Sequence, residues 1–371
     1  MARLSFDIFC RVIDNFGDIG VCWRLARQLA QMPQRHTVRL WVDDLCSFAR
    51  IEPQVDPSIQ QQTVGDVSIV HWTRIAPSLQ PHDIVIEAFA CDPPASFLQA
   101  MVERDSLWIN LEYLSAEPWV ESCHALPSAQ ASGLRKTFFF PGFTPATGGL
   151  LRESELLAVR DRWLADPALR VALLRAINVP ETQIARVGQG MRQVFLFCYP
   201  DAPASALVDV MARRETPTLL IVPAGVYPSL LEGQHDNVYV HEMPFVDQRA
   251  FDRLLWSSDL NFVRGEDSLV RALWAGKPLI WQIYPQQENA HMIKLQAWLD
   301  KSPFEPAVRQ AMTHWNTADA PAFDVAMETA MQSNDWSRWQ SGSARWCAQL
   351  AQYPDLTQSL VDFCAQQQRK G

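Results

Sequence analysis

Residues 259–284 constrain the fold more than any other stretch. Asp259-Leu260-Asn261-Phe262-Val263 reads as a strand and Arg264-Gly265-Glu266-Asp267-Ser268 as a short loop. Leu269 and Leu273, with Val270 and Trp274 on a neighbouring face, fall at helical spacing. Gly276 supplies the left-handed residue that ends a helix, and Pro278 cannot continue one. Leu279-Ile280-Trp281-Gln282-Ile283-Tyr284 then reads as a second strand. Strand, loop, helix and strand make a βαβ unit, which puts the Arg264–Ser268 loop at the carboxyl end of a parallel strand. In open α/β sheets, ligands bind there. Asp267 or Ser268 is expected to cap the helix start. The N–H groups and positive dipole end at that start suit a phosphate, and Arg264 adds a fixed positive charge. The same residues also suit an ordinary capped helix with surface charges.

The remainder of the chain repeats this alternation. Phe6–Val12, Val38–Val42, Val67–His71, Asp83–Phe89 and Leu107–Leu111 read as strands, and Val21–Ala30 as a helix. Phe138–Leu150 is rich in Gly and Pro and reads as a long loop, followed by a helical stretch over Glu153–Ile177. Val179-Pro180 reads as a linker. A second set follows: strands at Gln193–Tyr199, Thr218–Val222 and Val238–Val240, and helices at Ala204–Arg213, Arg249–Trp256 and Glu288–Leu299. The tail from Ala344 reads as helical and is free in sequence to return to the first domain. The expected class is α/β, with two doubly wound parallel sheets.

The 371 residues suit two domains of roughly 150 residues each. A net charge of −9 and the absence of a basic run argue against a nucleic-acid partner. No apolar run is long enough to span a bilayer, so no membrane partner is expected. The eight cysteines include no C-x-x-C pair, and Met1-Ala2-Arg3-Leu4-Ser5 does not read as a signal peptide. Both features fit a cytoplasmic protein.

The first glycine loop, Asp14-Asn15-Phe16-Gly17-Asp18-Ile19-Gly20, is not a dinucleotide fingerprint. Its two carboxylates would repel a pyrophosphate. They suit a general base or a cation, or else simple turn and cap roles. No Asp-x-Asp occurs, the histidines lack metal-ligand spacing and there is no G-x-S-x-G. No metal and no cofactor are therefore expected. A diphosphate here would need Arg264 and the helix start to balance its charge.

Residues 13–27, the Arg264-Gly265-Glu266-Asp267-Ser268 loop, Ala275-Gly276-Lys277-Pro278, Phe140-Pro141-Gly142-Phe143-Thr144 and Tyr284-Pro285-Gln286 together resemble the EarP family. These are bacterial protein-arginine rhamnosyltransferases that modify translation elongation factor P. The resemblance covers nearly the whole chain. It implies a GT-B fold, with two Rossmann-like domains facing a central cleft. Residues 1–180 would bind the acceptor, with a C-terminal helix at 355–371 packing back on them, and residues 181–354 would bind the nucleotide sugar. It further implies inverting, metal-independent transfer of rhamnose from dTDP-β-L-rhamnose to an arginine side chain of the factor. Asp18 would be the base, Asp14 a second catalytic carboxylate and Glu266 a catalytic group near the sugar. Asn15, Phe16, Gly17, Tyr199, Phe245, Gln248, Arg264, Gly265, Glu266, Asp267 and Ser268 would bind the donor. Phe245 and Tyr199 are suited to stacking a thymine ring. The alternatives are a GT-B transferase with a small-molecule or lipid acceptor, and a non-catalytic nucleotide-binding regulator that would need no Asp14 or Asp18.

Overall fold

Two separate sheets account for the alternation of strands and helices. The computed structural model describes residues 3–13, 16–72, 78–233 and 235–369. It divides into two units, residues 1–153 with 351–371, and residues 154–350.

In the first unit, β1 (Ser5–Cys10), β2 (Thr37–Val42), β3 (Gln61–Val64), β4 (Val67–His71), β5 (Ile84–Ala88), β6 (Leu107–Leu111), β7 (Pro127–Ala129) and β8 (Arg135–Phe139) form one sheet in the order 3-4-2-1-5-6-8-7. All neighbours pair in parallel except β3 with β4 and β7 with β8. The helices of this part are α1 (Gly17–Gln31), α2 (Leu45–Ile51), α3 (Ala95–Arg104) and α4 (Trp119–Cys123). Alternate strand residues separate two cores, as the two-residue period of a strand requires. Ile8, Leu40, Ile86 and Ile109 pack with Ile19, Cys22 and Ala26 of α1, while Phe9, Trp41, Val85 and Trp108 pack with Phe97 and Met101 of α3.

In the second unit come α5 (Leu156–Leu164), α6 (Pro167–Ala176), α7 (Glu181–Gly188), β9 (Arg192–Phe197), α8 (Ala204–Ala212), β10 (Thr218–Pro223), β11 (Val238–Met243), α9 (Gln248–Ser257), β12 (Leu260–Arg264), α10 (Asp267–Ala275), β13 (Leu279–Gln282), α11 (Ala290–Lys301), α12 (Pro306–Asn316), α13 (Ala320–Ala330) and α14 (Ser333–Leu350). Its five strands are all parallel, in the order 11-10-9-12-13. The last helix, α15 (Leu356–Gln368), belongs to the first unit, where Leu356, Leu360, Val361 and Cys364 enter the core around α1.

The division falls earlier than the Val179-Pro180 linker expected from sequence. The helices before that linker hold on to the second unit, at β9 and at α10. Arg170 donates to Gln193 Oε1 at 3.0 and 3.1 Å, and Arg160 donates to the Trp274 carbonyl at 2.6 Å. The expected single helix over Glu153–Ile177 is broken at Asp166, whose carboxylate caps a new helix with Pro167 in its first turn. No helix among the described residues is long and apolar enough to cross a membrane.

Candidate active site

In a fully parallel sheet every carboxyl end lies on one edge. The order 11-10-9-12-13 reverses direction between β9 and β12, and a ligand crevice opens at such a switch point. Arg264 ends β12 there. Its guanidinium lies 4.9 Å from the ring centre of Phe197 and 4.7 Å from that of Tyr199, both at the end of β9. It also donates to the Cys198 carbonyl at 3.5 Å. Stacking on two rings fixes the direction of a planar cation.

The neighbouring backbone is pinned from several sides. Gly265 has φ +61, a conformation in which any side chain would be strained. Its N–H donates to the Gln282 carbonyl at 3.1 Å, and its carbonyl accepts from Trp281 Nε1 at 2.7 Å. The buried Gln282 side chain accepts the Tyr199 N–H at 2.7 Å and donates to Asp201 at 3.2 Å. Tyr227 donates its hydroxyl to the Tyr199 carbonyl at 3.1 Å. Burial pushes its phenol pKa well up, so the hydroxyl remains a donor at neutral pH.

The expected cap at Asp267 or Ser268 is not formed. Glu266 occupies the cap position of α10 and makes no side-chain cap hydrogen bond. The Ser268 hydroxyl turns back to the Arg264 backbone, accepting its N–H at 3.2 Å and donating to its carbonyl. Local side-chain bonds of this kind compete with capping geometry. The helix end is as read, with Gly276 left-handed at φ +66.

Phe245 and Gln248 join the same edge of the sheet from the segment after β11. Phe245 is 44% exposed, while Gln248 opens α9 and is buried. The expected start of that helix at Arg249 moves one residue earlier, because the Asp247 carboxylate caps it through the Ala250 N–H at 2.7 Å. Phe251 of α9 packs on Phe197 at 4.9 Å, and Asp252 makes a buried bidentate pair with Arg271 of α10 at 2.6 and 3.0 Å. The two segments that carry Gln248 and Arg264 are thereby tied to each other and to the ring platform.

In the first unit the sheet order reverses between β1 and β5. Asp18 lies in the first turn of α1, just beyond β1 and near the positive end of the helix dipole. It is 4% exposed, and its Oδ2 accepts the Ile13 N–H at 2.8 Å. Gly17 opens α1, and Phe16 lies under the Arg50 guanidinium at 5.3 Å. Asp14 and Asn15 lie outside the described residues. The segment after β5 carries Phe89, Ala90 and Asp92, all with φ between 50 and 58. Phe89 stacks on the half-exposed Tyr113 at 4.4 Å. Strained non-glycine residues of this kind concentrate at functional sites. No sequence signal marks Phe89 and Ala90, which are not turn residues, whereas Asp92 is of a type that tolerates this conformation.

Comparison with known proteins decides what this pair of switch points belongs to. The family described as elongation-factor P (EF-P) rhamnosyltransferase EarP matches residues 6–365. The chain belongs to the EarP family. A protein-arginine rhamnosyltransferase of Pseudomonas putida is 43% identical, the match covering 97% of this chain and 98% of that protein. The protein of that name in Neisseria meningitidis is 34% identical over 98% of this chain and 97% of its own. A solved structure on EarP-mediated arginine glycosylation of translation elongation factor EF-P is 31% identical, covers 97% of this chain and 98% of its own, and superposes with TM-score 0.65. The spinosyn rhamnosyltransferase SpnG, 11% identical, covers 98% of this chain and all of its own with TM-score 0.57, a likeness of fold alone.

This EarP-family chain is therefore an enzyme of glycosyl transfer, and its two Rossmann-like domains are those of the GT-B fold. Among the described residues, no group of three or more His, Cys, Asp and Glu side chains is placed to hold a metal ion. Sequence reasoning missed Phe197, Gln282 and Tyr227, which position Tyr199 and Arg264, and Lys294, whose ammonium lies 3.2 Å from Glu266. Each depends on pairing between strands or helices distant in sequence. Only Phe197 carries a local signal, as the last residue of β9, two residues before Tyr199.

Proposed function

We propose that this enzyme transfers rhamnose from dTDP-β-L-rhamnose to an arginine side chain of translation elongation factor P, in the cytoplasm, with inversion and without a metal. The match to the EarP family over residues 6–365 carries the reading, and the geometry at Arg264 supports its donor half. In this reading the nucleotide sugar belongs to the second unit, residues 154–350. Arg264, Gly265, Asp267 and Ser268 line the donor nucleotide site, Tyr199, Phe245 and Gln248 the thymine and diphosphate side, and Glu266 the sugar. The acceptor belongs to the first unit, residues 1–153 with 351–371, where Asp18 is the base, Asp14 orients the guanidinium, and Asn15, Phe16 and Gly17 complete the donor contacts.

The departing dTDP gains negative charge as the sugar bond breaks. A guanidinium held by rings, beside the positive end of a helix, meets that charge without a cation from solution. Full activity is therefore expected to survive EDTA. A strict requirement for added magnesium or manganese contradicts this part of the account.

The arginine nucleophile also sets a demand. Its guanidinium has a pKa above about 12 and delocalised lone pairs, so it must be gripped by carboxylates and relieved of a proton as it attacks. A net charge of −9 offers no general attraction to an acidic factor, so recognition rests on local shape and a few contacts. With labelled dTDP-rhamnose, label is expected to enter the folded factor and to enter free arginine or a short arginine peptide far more slowly. Equal labelling of all three argues for a transferase with a small-molecule acceptor. Binding of donor without any transfer argues for a regulator.

A further inference from the structure

Glu266 stands at the cap position of α10, next to the backbone N–H groups of the first turn. A carboxylate at that end is attracted by the positive end of the helix dipole. Here it does not cap the helix, and Lys294 of α11 holds it instead, Nζ to Oε1 3.2 Å, with the side chains 16% and 23% exposed. This cation is not placed to suit the helix, since the positive end of a helix dipole disfavours a neighbouring ammonium. Its position is nevertheless built into the chain. Glu288 and Asn289, immediately before α11, are both left-handed, with φ 55 and 58. Each such non-glycine residue costs energy that the surrounding fold must supply. The Gln286 N–H donates to His291 Nδ1 at 3.1 Å, tying the preceding loop to the first turn. The strained entry sets the direction of α11, and Lys294 is the fifth residue of that helix.

We infer that Lys294 is a positioning residue for the donor. It holds the Glu266 carboxylate off the first turn of α10, so that the turn can take the diphosphate of a nucleotide sugar. Without it, the carboxylate loses the ammonium that draws it away and lies closer to the position meant for the phosphates. The inference rests on the reading that the start of α10 is the diphosphate site.

The test measures dTDP affinity by calorimetry for Lys294→Met, Lys294→Arg, the double variant Lys294→Met with Glu266→Gln, and Arg264→Ala. Lys294→Met is expected to weaken dTDP by roughly tenfold, the scale of one partly screened charge–charge contact. Lys294→Arg keeps the pairing and the affinity. Removing the Glu266 charge in the double variant restores affinity to within about threefold of the parent. A double variant as weak as Lys294→Met overturns the inference, because Lys294 then touches phosphate itself or merely supports the fold. Unchanged affinity in Lys294→Met, with Arg264→Ala weakened, overturns it while leaving the donor site in place. Unchanged affinity in both overturns the donor-site reading as well.

Discussion

Asp18→Asn is expected to lower rhamnose transfer by roughly 10²–10⁴-fold, the usual share of general base catalysis, while dTDP-rhamnose affinity stays nearly the same. Inverting transfer needs one group to take a proton from the attacking nitrogen as the sugar bond breaks. Arginine cannot lose that proton beforehand at neutral pH. A carboxylate at the nucleophile accepts it as the new bond forms, when the proton turns acidic. Asp18 is fixed for such a task, because its Oδ2 is anchored by the Ile13 N–H at 2.8 Å and its side chain is buried in the first turn of α1. Asparagine preserves size and the acceptor for Ile13 but removes the base, so the loss falls on kcat. A variant that keeps most of its turnover, or that fails only through lost donor binding, contradicts this assignment.

Arg264→Ala is expected to weaken dTDP binding by about 1.5–3 kcal/mol, the range for a hydrogen bond to a charged group, or roughly 10- to 150-fold in affinity. The side chain supplies a positive charge at the switch point, and the Phe197 and Tyr199 rings supply the surface that aims it. Lysine should not restore the loss, since an ammonium on a flexible stem lacks the planar stacking that fixes the guanidinium. Calorimetric titration with dTDP checks this. Unchanged affinity places the donor elsewhere.

The βαβ unit around Arg264 was legible because local chemistry punctuates it. Gly276 ends its helix in the left-handed conformation, and Pro278 precedes the next strand. The cap is absent because the Ser268 hydroxyl oxygen already accepts the Arg264 N–H, while its proton goes to the Arg264 carbonyl. Helices α12 and α13 went unread, although Pro306 and Pro321 sit in their first turns and the Asp319 carboxylate caps the second. The end of strand β8 reads in sequence as the start of a loop, since Phe138-Phe139-Phe140 runs straight into Pro141 and Gly142. Within the candidate site, the motif residues could be found from sequence, but what aims them could not. Arg264 meets Phe197 and Tyr199 only because β12 lies beside β9, and Glu266 meets Lys294 across 28 residues. Those pairings are set by sheet order, which local periodicity does not contain.

The most direct test of the account is the intact mass of elongation factor P after incubation with this enzyme and dTDP-rhamnose in EDTA. The account predicts a gain of one deoxyhexose, localised by peptide fragmentation to one arginine, and no gain when that arginine is replaced by lysine or when the enzyme carries Asp18→Asn. An unchanged mass with active, folded enzyme, or the same gain on the lysine variant, contradicts it.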